Sequence, residues 1–164
     1  MTQVCVDTHI LIWGIREYAD PGQEGMINRA KFFISECEAN GTRMAIPAVV
    51  LGEFLTAIDP RMHARVYNIL QQSFPILPYD AAASIRFAKL WHERQHSGAI
   101  EDLINHHGAT RKELKADCMI VATSIAHRVD AIYSHDGKLK KFADNEIQVL
   151  EMPQGPIQGQ FDNL

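Results

Sequence analysis

Apolar positions along the chain fall into two spacings. Short uninterrupted runs at Val4-Cys5-Val6, Met44-Ala45-Ile46, Ile76-Leu77, Ala131-Ile132-Tyr133 and Ile147 to Leu150 have the length and composition of buried strands. Pro75 and Pro78 bracket the third run and mark it as brief or at a sheet edge. Between these runs the apolar residues recur at helical spacing. The pattern predicts helices over residues 8–16, with Ile10, Leu11 and Trp13 inward, and over 23–38, with Met26, Ile27, Ala30, Phe33, Ile34 and Cys37 inward. Further helices are expected from Pro47 to about Ile58, from Asp59-Pro60 through Leu70, over 81–96 behind an Asp80 cap, over 115–128 and over 137–142. Residues 99–110 are the least patterned part, with a helical turn or two around Ile100 to Asn105. Asp20-Pro21-Gly22, Asn40-Gly41 and Ser97-Gly98 are breaks. No internal repeat is present. The spacing gives one domain over residues 1–150, then a Pro- and Gly-containing segment, 151–164, that reads as a loose tail.

Short apolar strands alternating with helices predict an α/β fold, a three-layer sandwich with a short, mainly parallel central sheet flanked by helices. Ligands of such sheets bind beyond the carboxyl ends of the strands. Asp7 and Asp136 both lie just after predicted strands, on that edge. Glu53 sits within Ala48 to Leu55, and Asp117 opens the helix-like stretch Cys118 to Ala126. A charge beside core-forming sequence is costly unless it is paired or holds a metal. Four acids in such positions point to carboxylates converging on a hard cation such as Mg²⁺ or Mn²⁺. Asp7 and Asp136 are the expected direct ligands. Glu53 and Asp117 are assigned to a second ion or to metal-bound waters.

Composition narrows the classes. An apolar share of 46% suits a globular chain. A single domain of 164 residues buries roughly 70% of its unfolded surface, so disulfides are not required. Sixteen Lys and Arg against twenty Asp and Glu give a net charge of −4, which argues against tight nonspecific binding to duplex DNA. Three cysteines without CxxC spacing read as buried thiols of a reducing compartment. The N-terminus lacks a signal-peptide pattern, and no apolar run approaches the roughly 18 residues of a membrane span. The expected location is cytoplasmic.

Four blocks resemble the PIN domain, the metal-dependent ribonuclease fold of VapC-type toxins. They are Val4-Cys5-Val6-Asp7-Thr8, Ile46 to Glu53, Lys115 to Ala126 and Ser134-His135-Asp136. The resemblance spans residues 3–150. It implies that Asp7, Glu53, Asp117 and Asp136 form a catalytic metal site for Mg²⁺ or Mn²⁺. It also implies hydrolysis of single-stranded RNA, a toxin of a toxin–antitoxin pair, an antitoxin partner and homodimerisation. Thr8 and Ser134 match the family's hydroxyl positions, Ser134 standing where Thr is usual, and are expected to orient carboxylates or a phosphate oxygen. The 97–115 region looks longer than in compact toxins. Residues 111–141 hold seven basic and four acidic side chains, a local +3, and Lys138, Lys140 and Lys141 are the proposed RNA contacts. Met62, Val66, Ile69 and Leu70 are a candidate dimer face, with core packing as the alternative.

Two other functions compete. One is a non-catalytic RNA-binding or regulatory PIN-like module, which has no need of four acids. The other is a zinc peptidase, because His92-Glu93-Arg94-Gln95-His96 matches HExxH. Arg94 and Gln95 between the ligands, and Ser97-Gly98 ending the helix at once, argue for a solvated helix end instead. No GxSxG, P-loop or GxGxxG pattern is present.

Overall fold

Five strands, β1 (Gln3–Val6), β2 (Arg43–Pro47), β3 (Ile76–Leu77), β4 (Ala131–Tyr133) and β5 (Gln148–Leu150), pair entirely in parallel in the order β3-β2-β1-β4-β5. The computed structural model describes residues 1–156. The central strands are short and nearly continuous in apolar residues because both their faces are covered. Cys5, Val6, Ala45, Ile46 and Ile132 are fully buried. The brief β3 is an edge strand, as its flanking prolines require. The chain steps outward from β1 to β2 and β3, then returns to the other side of β1 for β4 and β5. Strand order therefore reverses between β1 and β4, the position where parallel sheets leave a crevice at their carboxyl edge.

Among the described residues eight α-helices cover the sheet: α1 (Thr8–Gly14), α2 (Gly25–Ala39), α3 (Ala48–Leu55), α4 (His63–Ser73), α5 (Ala81–His96), α6 (Ala99–His107), α7 (Arg111–Ala126) and α8 (Gly137–Ala143). The first ends at Gly14, two residues short of expectation. There α1 comes so close to α2 that a Cβ on Gly14 would lie 2.6 Å from Ile34 Cδ1. Pro47 closes β2 and precedes α3, which stops at Leu55 instead of Ile58. Asp59 caps a 3₁₀ turn at Pro60–Met62, and α4 begins only at His63. Asp80 caps α5 through the Ala83 N–H, as expected.

The 97–110 region is more ordered than its pattern suggests. Gly98 takes a left-handed conformation (φ 81°) that lets α6 start at once, and Gly108 (φ 68°) ends it the same way. The next helix starts at Arg111, four residues before the expected Lys115. Thr110 and Glu113 form a reciprocal capping box, with Thr110 N–H donating to Glu113 at 2.7 Å and Glu113 N–H to the Thr110 hydroxyl at 3.1 Å. Asp117 is thus the seventh residue of α7, not its opening residue, and it faces inward.

The longest helices, α5 and α7, pack on each other, and α7 also meets α3 and α8. Phe87, Trp91 and Phe142 stack in a row that carries α5 onto α8. Arg94 donates to the Phe142 and Ala143 carbonyls at the end of α8, where a cation also suits the helix dipole. Cys5, Cys37 and Cys118 are free and buried, and burial pushes the Cys5 and Cys118 thiols up to about 12, so neither is a nucleophile at neutral pH. Of the expected loose tail, residues 151–156 lie against α2. Met152 is buried, and Arg29 donates to the Met152 and Pro153 carbonyls. Residues 157–164 lie outside the described residues. The candidate dimer face is split, since Leu70 belongs to the core while Met62 and Ile69 are exposed, Ile69 at 56%. No helix among the described residues is long and apolar enough to cross a membrane.

The capping box sets where α7 begins and hence where its inward acid lies. Thr110→Ala is expected to lower stability by about 1 kcal/mol. Chemical denaturation measures this, and a loss below about 0.3 kcal/mol would mean that the box is idle.

Candidate metal centre

Parallel pairing of β1 with β4 aligns Val6 with Tyr133, so the residues just past both strands become neighbours. The Asp7 N–H continues the ladder to the Tyr133 carbonyl at 3.1 Å. Asp7 then turns into α1 as its N-cap, with Oδ1 accepting from the Ile10 N–H at 3.3 Å. Its other oxygen, Oδ2, accepts from the Ser134 hydroxyl. Ser134 is 3% exposed, and its Oγ also accepts from the Asp136 N–H at 3.0 Å. One buried hydroxyl therefore ties both strand-end acids together. It holds the Asp7 carboxylate and the Asp136 backbone.

Asp136 caps α8 by accepting from the Lys138 N–H at 2.8 Å. Both strand-end acids are helix caps and lining groups of the same cleft. Glu53 arrives from α3 and accepts from the Thr8 hydroxyl at 2.5 Å. Asp117, 9% exposed, arrives from α7. The four acids named from the sequence thus line one cleft of about 210 Å³, with Thr8 beside them.

Two lining residues escaped the sequence reading. Glu113 stands one helical turn before Asp117 on the same face of α7, and its capping-box spacing from Thr110 was the available signal. His9 is exposed at the cleft wall, next to the strand-end acid and its hydroxyl neighbour. Of the three lysines, Lys138 reaches the site, with Nζ 3.7 Å from Glu113. Lys140 and Lys141 are exposed in the last turn of α8, away from the cleft walls. Arg111 and Lys115 lie over the Trp91 ring.

Crowding and burial act on the acids in the same direction. Burial, then the charges of Asp136 and Glu53, raise Asp117 from the usual 3.8 to about 7 despite Lys138 nearby. At ~1.4 kcal/mol per tenfold, ionising it carries a penalty on the order of 4 kcal/mol. Burial likewise raises Asp7, against the opposing hydrogen bonds from Ser134 and Ile10. The net effect shows that desolvation outweighs these bonds. A divalent cation is the natural compensation, and the donor set fits one: hard carboxylate oxygens with no thiol among the cleft walls. Among the described residues no three His, Cys, Asp or Glu side chains already surround a common point. Carboxylate oxygens suit Mg²⁺, which keeps several waters and takes one or two carboxylates directly.

The HExxH segment lies apart from this cleft, whose walls include neither His92 nor His96. His92 and His96 lie on the exposed side of α5 with ring centroids 4.1 Å apart, and the Arg94 between them is committed to α8. The HExxH match is a helix end that anchors its neighbour.

Asp117 makes apo stability depend on pH. Its folded value lies above its unfolded one, so the folded state holds a proton that the unfolded state has released. Its contribution is fully present below about pH 4 and is lost as pH rises to about 7. His135, held below its ordinary value by burial, contributes with the opposite sign. The difference between wild type and Asp117→Asn isolates the acid. In chelator, Asp117→Asn is expected to gain melting temperature over wild type as pH rises from 5 to 8, and Mg²⁺ should narrow the gap. Parallel curves for the two proteins in chelator would contradict the assignment.

A search of curated proteins returned no match. Among solved structures, the chain resembles VapBC2 from Rickettsia felis bound to a DNA fragment from their promoter (TM-score 0.61, 16% identity, 92% of this chain and 98% of that one). It also resembles VapBC-1 from nontypeable Haemophilus influenzae (0.62, 14%, 92% and 98%). A third likeness is to DNA-bound VapBC from Salmonella typhimurium (0.57, 18%, 93% and 100%). At these identities the likeness establishes the fold. The PIN domain family profile matches residues 4–145, a span that takes in all five cleft acids and every helix from α1 to α8, and the chain belongs to that family.

Proposed function

We propose that the chain is a divalent-cation-dependent endoribonuclease that hydrolyses phosphodiester bonds of single-stranded RNA, and that it is the toxin of a toxin–antitoxin pair. The observation that carries the reading is the convergence of Asp7, Glu53, Asp117 and Asp136, from four separate segments, on one cleft at the carboxyl edge of the sheet. Membership of the PIN family supports hydrolase chemistry. The similarity to VapBC structures supports an antitoxin partner. Homodimerisation belongs to the same reading, with the exposed Met62, Tyr67 and Ile69 as the available apolar surface. Three free buried thiols accord with a reducing, cytoplasmic location.

Asp7 and Asp136 would hold a Mg²⁺ or Mn²⁺ ion directly, and Glu53 and Asp117 would hold its waters or a second ion. When bound, such an ion lowers the pKa of a water and offsets charge on the phosphate and the leaving oxygen. The chain's own residues do the rest. Ser134 fixes the Asp7 carboxylate, Thr8 fixes Glu53, and the Ile10 and Lys138 N–H groups at two helix starts hold the remaining oxygens in place. Asp117, beside Glu53 and Asp136 in the cleft, would hold a water there and take its proton. Lys138 stands at the cleft edge facing the phosphate path, and Lys140 and Lys141 would extend that path only at a distance.

Cleavage of a labelled single-stranded RNA, with Mg²⁺, Mn²⁺ or chelator, tests the reading. Metal-dependent cutting that disappears in Asp7→Asn is expected. A folded protein that binds no divalent cation would sink it. Ser134→Ala, which removes only the orienting hydroxyl, should lose about 10–100-fold in activity, and Ser134→Thr should restore most of it. Equal activity of the Ala and Thr variants would remove Ser134 from the positioning role.

A further inference from the structure

A second depression, of about 240 Å³, opens beside the acid cleft and shares Asp7, His9 and Asp136 with it. It starts where the scissile phosphate would lie if the nuclease reading holds. Its remaining walls differ in chemistry from those of the first. Beyond the two shared acids it holds Trp13, His135, Gln23 and Lys138. Three rings gather there: Trp13 is flanked by His9 at 5.6 Å and by His135 at 5.8 Å. Trp13 is 5% exposed and forms the floor, whereas the His9 ring is open to solvent. His135 is committed, accepting from the Met152 N–H at 3.1 Å.

Gln23 completes the wall from the turn that precedes α2. Its N–H donates to the Asp20 carbonyl and its carbonyl accepts from the Met26 N–H, both at 2.9 Å, so its backbone is pinned. Its exposed side-chain amide has no hydrogen-bond partner among the described residues. A free amide on a pinned backbone, offering a donor and an acceptor beside an open aromatic ring, suits a planar heterocycle with an exposed hydrogen-bonding edge. At ~30 Å³ per water the depression has the volume of about eight waters, room for one unstacked base. The walls are a poor match for backbone phosphate, because Lys138 is their one lysine or arginine and faces two acids.

We propose that this depression is a nucleobase subsite. It takes the base of the nucleotide adjoining the scissile phosphate, with His9 stacking on its face and the Gln23 amide reading its edge. Lys138, which lines this depression and ion-pairs with Glu113 of the acid cleft, stands where the two meet. An unpaired nucleotide fits such a site and a base-paired one does not, so the subsite also selects single strands.

The test uses AMP, GMP, CMP and UMP as probes of the full chain with Mg²⁺, followed by nitrogen-15 NMR. The expected result is perturbation of the Trp13 indole and Gln23 side-chain amide signals, with one nucleotide preferred several-fold. His9→Ala should weaken binding about tenfold. Gln23→Ala should flatten the preference among the four while leaving the melting temperature and Mg²⁺ affinity unchanged. Nucleotide shifts confined to the acid cleft, or a preference unaltered in Gln23→Ala, would overturn the subsite and leave the nuclease reading intact. No binding of any probe at millimolar concentration would overturn it too. Base binding at Trp13 and Gln23 without any Mg²⁺ effect on Asp7 or Asp136 would keep the subsite and remove the nuclease reading.

Discussion

The Ser134 hydroxyl donates to Asp7 across 127 residues of sequence, and the orientation of the Asp7 carboxylate rests on that contact. The register of β1 on β4 puts the two strand ends side by side, and the hydroxyl converts that proximity into a fixed orientation. A hydrogen bond contributes about 1 kcal/mol net, whereas burying and crowding carboxylates costs several. The bonds at Asp7 therefore do not stabilise the fold against the charge; its raised pKa says that burial wins. They fix where the charge will be once something compensates it. The stability needed to hold such a group comes from the sheet and the α5–α7 layer, where Val6, Ile132, Leu114 and Phe142 are fully enclosed.

Each acid is placed by a different piece of ordinary chain chemistry. Asp7 and Asp136 cap the helices that follow their strands, so backbone N–H groups aim one oxygen of each. Asp117 is set by the length of α7, which its capping box fixes at Thr110. Glu53 is held by a hydroxyl from α1. A cap and a ligand are compatible because a carboxylate has more lone pairs than one N–H uses. Capping α1 and α8 therefore leaves Asp7 and Asp136 with oxygens free to line the cleft.

The strands, the parallel class and the four acids were legible because they are written in apolar contrast. A buried strand and the charge that ends it stand out against their neighbours. The start of α7 was not, since Arg111, Lys112 and Glu113 are solvent-facing and carry no apolar period. Reading helices from periodicity alone placed Asp117 at a helix opening and overlooked Glu113. The capping box at Thr110 and Glu113 was the missed signal. Helix α6 was underestimated because Ser97-Gly98 reads as a stop, while a left-handed glycine allows an immediate restart. The seating of residues 151–156 depends on Arg29 reaching two carbonyls more than a hundred residues away, which no local pattern encodes. The basic stretch, read by counting charge along the chain, is dispersed in space: Arg111 and Lys115 lie over Trp91, and Lys140 and Lys141 are exposed outside the cleft walls.

That dispersal bears on how an acidic chain handles a polyanion. The cleft concentrates negative charge, and among the three lysines assigned to RNA only Lys138 stands beside it. Long-range attraction for RNA is consequently weak, since affinity for nucleic acid scales with the phosphates neutralised. Productive binding must come from short-range contacts that form together: a cation bridging carboxylates and phosphate, one ammonium at the cleft edge, and ring and amide contacts to a base. Such contacts are far more demanding of geometry than a basic surface is. On the proposed reading, the chain discriminates among RNAs by the shape and edge of a single unstacked nucleotide, not by charge.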